Sequence, residues 1–250
     1  MTQISVSETR RMFRAAKDAL ASAGLRRPRV LRGERTEHPF EAPELRTERL
    51  LLRPHRAAAR DAADWFELQA QPSVTEFLPW PERDRRLSAR HLRDRTRHVR
   101  LWQADDFLAL AVELDGRLIG DVSLHLRKVA RDERSVEMGW VLHPAHGGKG
   151  YATEAARAVR DLAFERLEAR EVTAVTDARN RRSVALATRL GFVERTRRDC
   201  ARQTDGTVEF ALDRDRWDRA RREREDRPRR IERRTPQGRS HHAGRERRAA

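Results

Sequence analysis

Apolar residues repeat in two rhythms along the middle of this 250-residue chain. Leu45, Leu50, Leu51 and Leu52 mark a strand that ends at Pro54. Over 57–69 the spacing becomes helical, with Ala58, Ala62, Trp65 and Phe66 inward. Two prolines flank Trp80 in VTEFLPWPER, which reads as a loop. Ser88 is placed to cap a second helix running to about Trp102, with Leu92 and Val99 on its buried side. Residues 107–114 and 117–124 flank Asp115-Gly116 and form the clearest hairpin in the sequence. Residues 135–142 follow as a strand. Helical spacing returns over 153–169, where Ala155, Val159, Leu162, Ala163 and Leu167 oppose Arg157, Arg160, Asp161 and Glu168. A short strand at 172–176 leads to a last helix, 180–190, stopped by Gly191. Residues 192–197 and 207–212 close the pattern as a strand pair around Asp205-Gly206. The order is strand, two helices, three strands, helix, strand, helix, two strands. That predicts an α/β domain with a mixed sheet, its hairpins antiparallel and the helix after 153 linking two parallel strands.

The ends differ from this middle. Residues 1–43 read as an extension, with a short helix after Ser7 and then coil broken by Pro28, Gly33, Pro39 and Pro43. Residues 218–250 read as an arginine-rich, disordered tail. The formal net charge is +15, but nine Lys/Arg against five Asp/Glu in 1–43 and thirteen against six in 218–250 place 11 of those charges in 76 terminal residues. The basicity therefore describes the ends more than the domain. Interspersed acids favour a solvated tail, although basic ends could also touch a nucleic acid or a ribosome. No apolar run approaches the ~20 residues of a membrane helix, and no secretory leader is legible, so the expected location is cytoplasmic. A single cysteine, Cys200, excludes an internal disulfide. His143 and His146 straddle Pro144 without a third ligand, so no metal is expected.

The strongest chemical signal is HGGKGYATEA, residues 146–155, set between a strand and a helix. Glycines let backbone approach a ligand closely, and a helix start presents unpartnered N–H groups with partial positive charge. Together they predict an anion site, most simply for a phosphate. Lys149 is followed by Gly150, so the hydroxyl that an NTPase loop offers to magnesium is missing. The glycine spacing also fits a dinucleotide fingerprint poorly.

EMGWVLHPAHGGKGYATEA and NRRSVALATRLGFVE, with LRTERLLLRP and FLPWP upstream, resemble the GNAT acyltransferases, closest to the RimJ/RimL-like ribosomal-protein N-acetyltransferase branch. The resemblance covers roughly 44–217. It implies a single GNAT-like domain with a mostly antiparallel, twisted mixed sheet and flanking helices. It also implies acetyl-CoA as co-substrate, and an amine acceptor, either a protein N-terminus or a small molecule, that attacks directly. Gly147, Gly148, Lys149, Gly150, Tyr151, Ala152 and Thr153 match the family's pyrophosphate loop, although Gly147 stands where Arg or Gln is usual. Val141 or Leu142 matches the backbone N–H that polarises the thioester carbonyl. Asn180 matches the asparagine on the CoA arm, and could also cap the last helix. Glu137 matches the family's glutamate and is the expected base. The family's helix tyrosine is replaced by Ala187, which leaves Ser183 as the candidate donor to the leaving thiolate. Trp80 is expected at the acceptor pocket or in the core. Such proteins are expected as monomers or homodimers. The alternative reading is a non-catalytic module that keeps the CoA fold and binds RNA or the ribosome through its basic ends.

Overall fold

The computed structural model describes residues 34–78, 82–195 and 206–226. Ten strands and six helices are labelled in chain order among these residues. They are β1 (Arg35–Glu41), β2 (Leu45–Arg46), β3 (Leu51–Pro54), α1 (Ala59–Gln69), the four-residue α2 (Pro72–Thr75) and α3 (Arg85–Arg95). Then come β4 (Arg100–Gln103), β5 (Phe107–Leu114), β6 (Arg117–Lys128), β7 (Ser135–Leu142) and α4 (Tyr151–Glu165). The chain continues with β8 (Glu171–Asp177), α5 (Arg181–Arg189), β9 (Val193–Glu194), β10 (Thr207–Asp213) and α6 (Arg214–Glu225).

Eight strands form one sheet in the order β2-β3-β5-β6-β7-β8-β10-β9, and β1 pairs with β4 in a separate ribbon. Every pairing is antiparallel except β7 with β8. This is the mixed, mostly antiparallel sheet the sequence predicts, with α4 as the crossover between the two parallel strands.

The sheet separates two cores. Leu108, Leu110, Val112, Val122, Leu124, Leu126, Val136 and Met138 pack with Ala155, Ala156, Val159, Leu162 and Ala163 of α4 in the larger one. Trp65, Leu68, Val74, Leu92, Ala111 and Leu118 form the smaller one beneath α1 and α3. Period two in β6 explains how one strand serves both sides. Val122, Leu124 and Leu126 enter the larger core, while Asp121, Ser123 and His125 point to the α1/α3 side.

Several boundaries move from the sequence expectation. Residues 35–41, read as coil, form β1, with Phe40 opposite Leu101 and packed on the core. Pro39 is tolerated because this is an edge strand. The second helix starts at Arg85, not Ser88. Asp84 caps it by accepting the Leu87 N–H at 2.7 Å, and Ser88 is buried and donates to Gln69 Oε1 at 3.4 Å. That helix ends at Arg95, and residues predicted to continue it form β4. In α1 the buried positions include Asp61 and Asp64, whereas Ala58 is exposed. The described fold also passes residue 217. α6 reaches Glu225, with Trp217 stacked on Phe164 at 5.0 Å and its Nε1 donating to Asp161 at 2.7 Å. The proposed helix after Ser7, Trp80, Cys200, Asp205 and the chain beyond residue 226 lie outside the described residues.

Candidate functional site

The glycine-rich segment leaves β7 through a short 3-10 turn, Pro144–His146, and enters α4. Gly148 and Gly150 have φ of +76° and +85°, the left-handed region that favours glycine. Gly147 is extended, but a Cβ there would lie 3.0 Å from the Pro144 carbonyl oxygen, a tight contact that favours glycine. Gly150 is the N-cap of α4, and no side chain caps the helix. The N–H groups of Tyr151, Ala152 and Thr153 therefore have no intrahelical acceptor. Glu154, the acid of the first turn, is held by donors from the turn between β2 and β3. It accepts from Thr47 Oγ1 at 2.6 Å, Arg49 N–H at 2.8 Å and Arg49 Nε at 2.7 Å. Burial works against its charge, but these donors hold its carboxyl below the usual range.

The second feature is a wedge in the sheet. β7 and β8 pair only at Ser135/Glu171, Val136/Val172 and Glu137/Thr173. Beyond Glu137, β7 stays on β6 as far as Leu142, while β8 stays on β10. The two strands part, and a cleft of about 1520 Å³ opens between them and joins the glycine loop. His143 N–H bonds Ile119 O at 2.8 Å, in register with Val141 opposite Asp121. Antiparallel alternation then directs the N–H groups of Trp140 and Leu142, not Val141, toward the opened side. Asn180 and Ser183 of the α5 turn line the same cleft. Asn180 Oδ1 accepts the Ser183 N–H at 3.1 Å, so it caps α5 while its amide nitrogen makes no hydrogen bond among the described residues. Trp140 Nε1 donates to Ser183 Oγ at 3.3 Å, which leaves the serine proton available to donate.

On the α1/α3 side the cleft floor is polar. Asp121 is 3% exposed, receives His55 Nε2 at 2.6 Å and Arg95 Nη1 at 3.2 Å, and faces the cleft. Burial disfavours its charge, yet Arg95 and His55 hold its pKa below the ordinary value. His91, beside Gln69 Nε2 at 3.1 Å, is pushed down to about 3 by burial and by Arg95 and Arg83, so it is neutral at pH 7. Glu137 Oε2 accepts from Arg127 Nε at 3.1 Å, and Arg127 Nη2 lies 3.1 Å from the same oxygen.

Residues 49–193, more than half of the chain, match the acetyltransferase (GNAT) domain. The chain belongs to the GNAT acetyltransferase family. An acetyltransferase from Agrobacterium tumefaciens str. C58 is 28% identical, with a TM-score of 0.52 over 72% of this chain and 99% of that one. Mycobacterium smegmatis RimJ, solved with CoA-disulfide, is 24% identical, with a TM-score of 0.51 over 69% and 90%. Among curated proteins, YkkB of Bacillus subtilis, uncharacterized, is 25% identical over 125 residues. That match takes in 50% of this chain and 63% of YkkB, so the chain spans less than two thirds of that relative.

Within this GNAT domain most of the residues named from sequence line one continuous cleft; Lys149 is not among its lining residues, and Trp80 lies outside the described residues. Gly147, Gly148, Gly150, Tyr151, Ala152 and Thr153 line its loop end, and Glu137, Val141, Leu142, Asn180 and Ser183 line its interior. Ala187 is buried in the core and offers no hydroxyl. Among the described residues no cluster of three or more His, Cys, Asp or Glu is placed to hold a metal, and no helix is long and apolar enough to cross a membrane.

Two features escape sequence reading. Arg49 donates Nη1 to the Lys149 carbonyl at 2.9 Å, pairs with Glu154 and lies 4.5 Å above the Tyr151 ring. It therefore braces the loop from a hundred residues away in sequence. The second is the polar row Asp121, Ser123 and His125. Its period-two signal is in the sequence, but the pattern alone does not say that the polar face meets a cleft rather than solvent.

Proposed function

We propose that this chain transfers an acetyl group from acetyl-CoA to a primary amine, on a protein N-terminus or a small molecule, by direct attack. The observation that carries this reading is the wedge beyond Glu137/Thr173 running into the uncapped mouth of α4. Amides of 148–153 suit a diphosphate, with Lys149 adding charge at the rim. The parted strands suit an extended pantetheine arm, which would take the place of the missing strand partner. The N–H group of Trp140 or that of Leu142 suits the thioester oxygen, where negative charge grows during attack. Asn180 is placed for the arm's amides, and Ser183 for the departing sulfur. The amine would enter from the α1/α3 side, over Asp121 and Glu137.

Calorimetry with acetyl-CoA, then mass spectrometry of an amine panel, tests this reading. Saturable binding and a product heavier by one acetyl group are expected. Absence of binding overturns it. Arg49→Ala should weaken acetyl-CoA binding roughly tenfold, because the loop loses its charge-assisted brace and the site loses a nearby cation. Unchanged affinity by calorimetry would remove Arg49 from the site. A far-ultraviolet melt checks that the fold persists.

A further inference from the structure

We infer that the exposed face of α3 is a docking surface for an acidic polypeptide, the segment that follows the acceptor's N-terminal amine. The inference rests on the acetyl-transfer reading above and narrows its acceptor to a chain with carboxylates near its amino end. It starts from spacing. Arg86, Arg90, Arg93 and Arg97 are exposed and stand four, three and four residues apart, so they form one stripe along α3 and the turn after it. None of these four side chains pairs with an acid among the described residues. Like charges at this spacing repel one another, a cost to the helix that nothing in the described fold offsets.

The excess of cations is local. Over residues 82–100 eight arginines stand against three acids. Two of those acids are engaged: Asp84 caps α3, and Asp94 lies 3.3 Å from His98 Nε2. Arg85 lies over the Phe66 ring at 4.5 Å, and Arg95 pairs with Asp121 at 3.2 Å, so neither belongs to the stripe. The arginine-rich α6 is built differently. Four acids are interspersed among its six arginines, and Arg221 pairs with both Glu225 and Glu165. Helix α6 balances its charge on its own surface, whereas the α3 stripe leaves its charge for a partner.

Position points to the occupant. His91, Asp94, Arg95 and His98 line the cleft on the side where the amine enters. At about 100° per residue the stripe lies roughly a third of a turn around α3 from that row, with the exposed Asp94 between them. A chain that leaves the cleft over α3 meets the stripe. From Arg86 to Arg97 the helical rise gives about 16 Å, which an extended chain covers in about five residues. The field inside the mouth has the same sign, since Arg95 and Arg83 join burial in keeping His91 neutral. A polyamine would carry its own cations into that field, and a small neutral amine would not reach the stripe. A single-stranded nucleic acid would match the charge, but α3 carries no Phe, Tyr or Trp on which its bases could stack. A polypeptide with carboxylates a few residues behind its amine satisfies both cleft and stripe.

The test uses full-length protein and labelled peptides with a free N-terminus, alike except for Glu, Gln or Lys at the third to eighth positions. Fluorescence anisotropy reads binding, and thiol release reads turnover. The Glu peptide should exceed the Gln peptide in kcat/KM by about tenfold at low salt, the yield of two or three exposed ion pairs, with the gain in KM. The gain should fade as ionic strength rises. Arg90→Glu with Arg93→Glu should remove it, while acetyl-CoA affinity by calorimetry and kcat with the Gln peptide stay at wild-type values. Arg90→Gln with Arg93→Gln relieves repulsion without reversing charge. That pair should lose part of the preference and melt no lower than wild type, which keeps the test standing if charge reversal disturbs the fold. If the Glu peptide binds through these arginines and no amine is acetylated, the acetyl-transfer reading fails and the docking surface stands without it. Equal binding and use of the three peptides overturns the inference. So does a preference for spermidine or the Lys peptide, or stripe-dependent binding of single-stranded RNA with no gain for the Glu peptide.

Discussion

Gly150→Asp is expected to abolish acetyl-CoA binding while the domain stays folded. The residue has φ of +85°, which for a side-chain-bearing residue costs roughly 1–2 kcal/mol, with Asn and Asp the most tolerant. Space is not the obstacle. A Cβ at this position would lie 3.2 Å from Arg49 Nη2, a side-chain atom that must give by only a few tenths of an ångström. The new carboxylate would stand where the uncapped N–H groups of Tyr151, Ala152 and Thr153 point, and would cap them itself. A helix mouth already occupied by an anion repels a second one. We expect the acetyl-CoA Kd to rise by at least about 100-fold, or ~2.7 kcal/mol. Gly150→Asn imposes the same backbone cost without the charge and should lose far less. Calorimetry on both variants, with thermal melts as a fold control, separates the two contributions. If the aspartate variant binds within about threefold of wild type, the diphosphate does not sit at this mouth.

The loop was legible because everything that makes it is local. Two left-handed glycines, a helix start and an amphipathic stripe lie within about twenty consecutive residues. The β5–β6 hairpin and the Gly191 cap were legible for the same reason, and the structure shows φ of +90° at Gly191. What the sequence hid is long-range. β1 is a strand only because Arg100, Leu101 and Gln103 pair with it, and two prolines and a glycine nearby argued for coil. The apolar rhythm of α4 ran on to Leu167 and Ala169, which are buried although the helix stops at Glu165, because they pack on the same core without helical backbone. At the site, Glu137 was found from its motif, but its pair with Arg127 and its neighbour His125 follow from register alone. Ser183 and Asn180 came together as expected because a capping turn joins them.

Arg53→Met should be the most destabilising single change among the buried ion pairs. Arg53 is 1% exposed, and its Nη1 and Nη2 each lie 2.9 Å from a carboxylate oxygen of Asp61. Its Nε donates to Glu113 at 2.5 Å. Burial opposes the guanidinium charge, but Asp61 and Glu113 outweigh it and raise its pKa. Methionine keeps much of the volume and removes the cation, which leaves two carboxylates facing each other without a partner. Breaking one side of a buried pair costs about 3–5 kcal/mol, a loss of roughly 10 °C in Tm for a domain of this size. Adding Asp61→Asn and Glu113→Gln should recover much of the loss at pH 7. Asp61 lies on α1, which carries Trp65 against His55 and so supports the Asp121 wall of the acceptor side. The glycine loop and the wedge are built on β7, β8 and α4, which meet that helix at Val141, packed on the Trp65 cluster, and at His143, 3.9 Å from Glu67. Measured well below its melting point, the variant should keep acetyl-CoA affinity while its amine KM rises. A parallel fall in both would mean that α1 supports the whole cleft rather than one side of it.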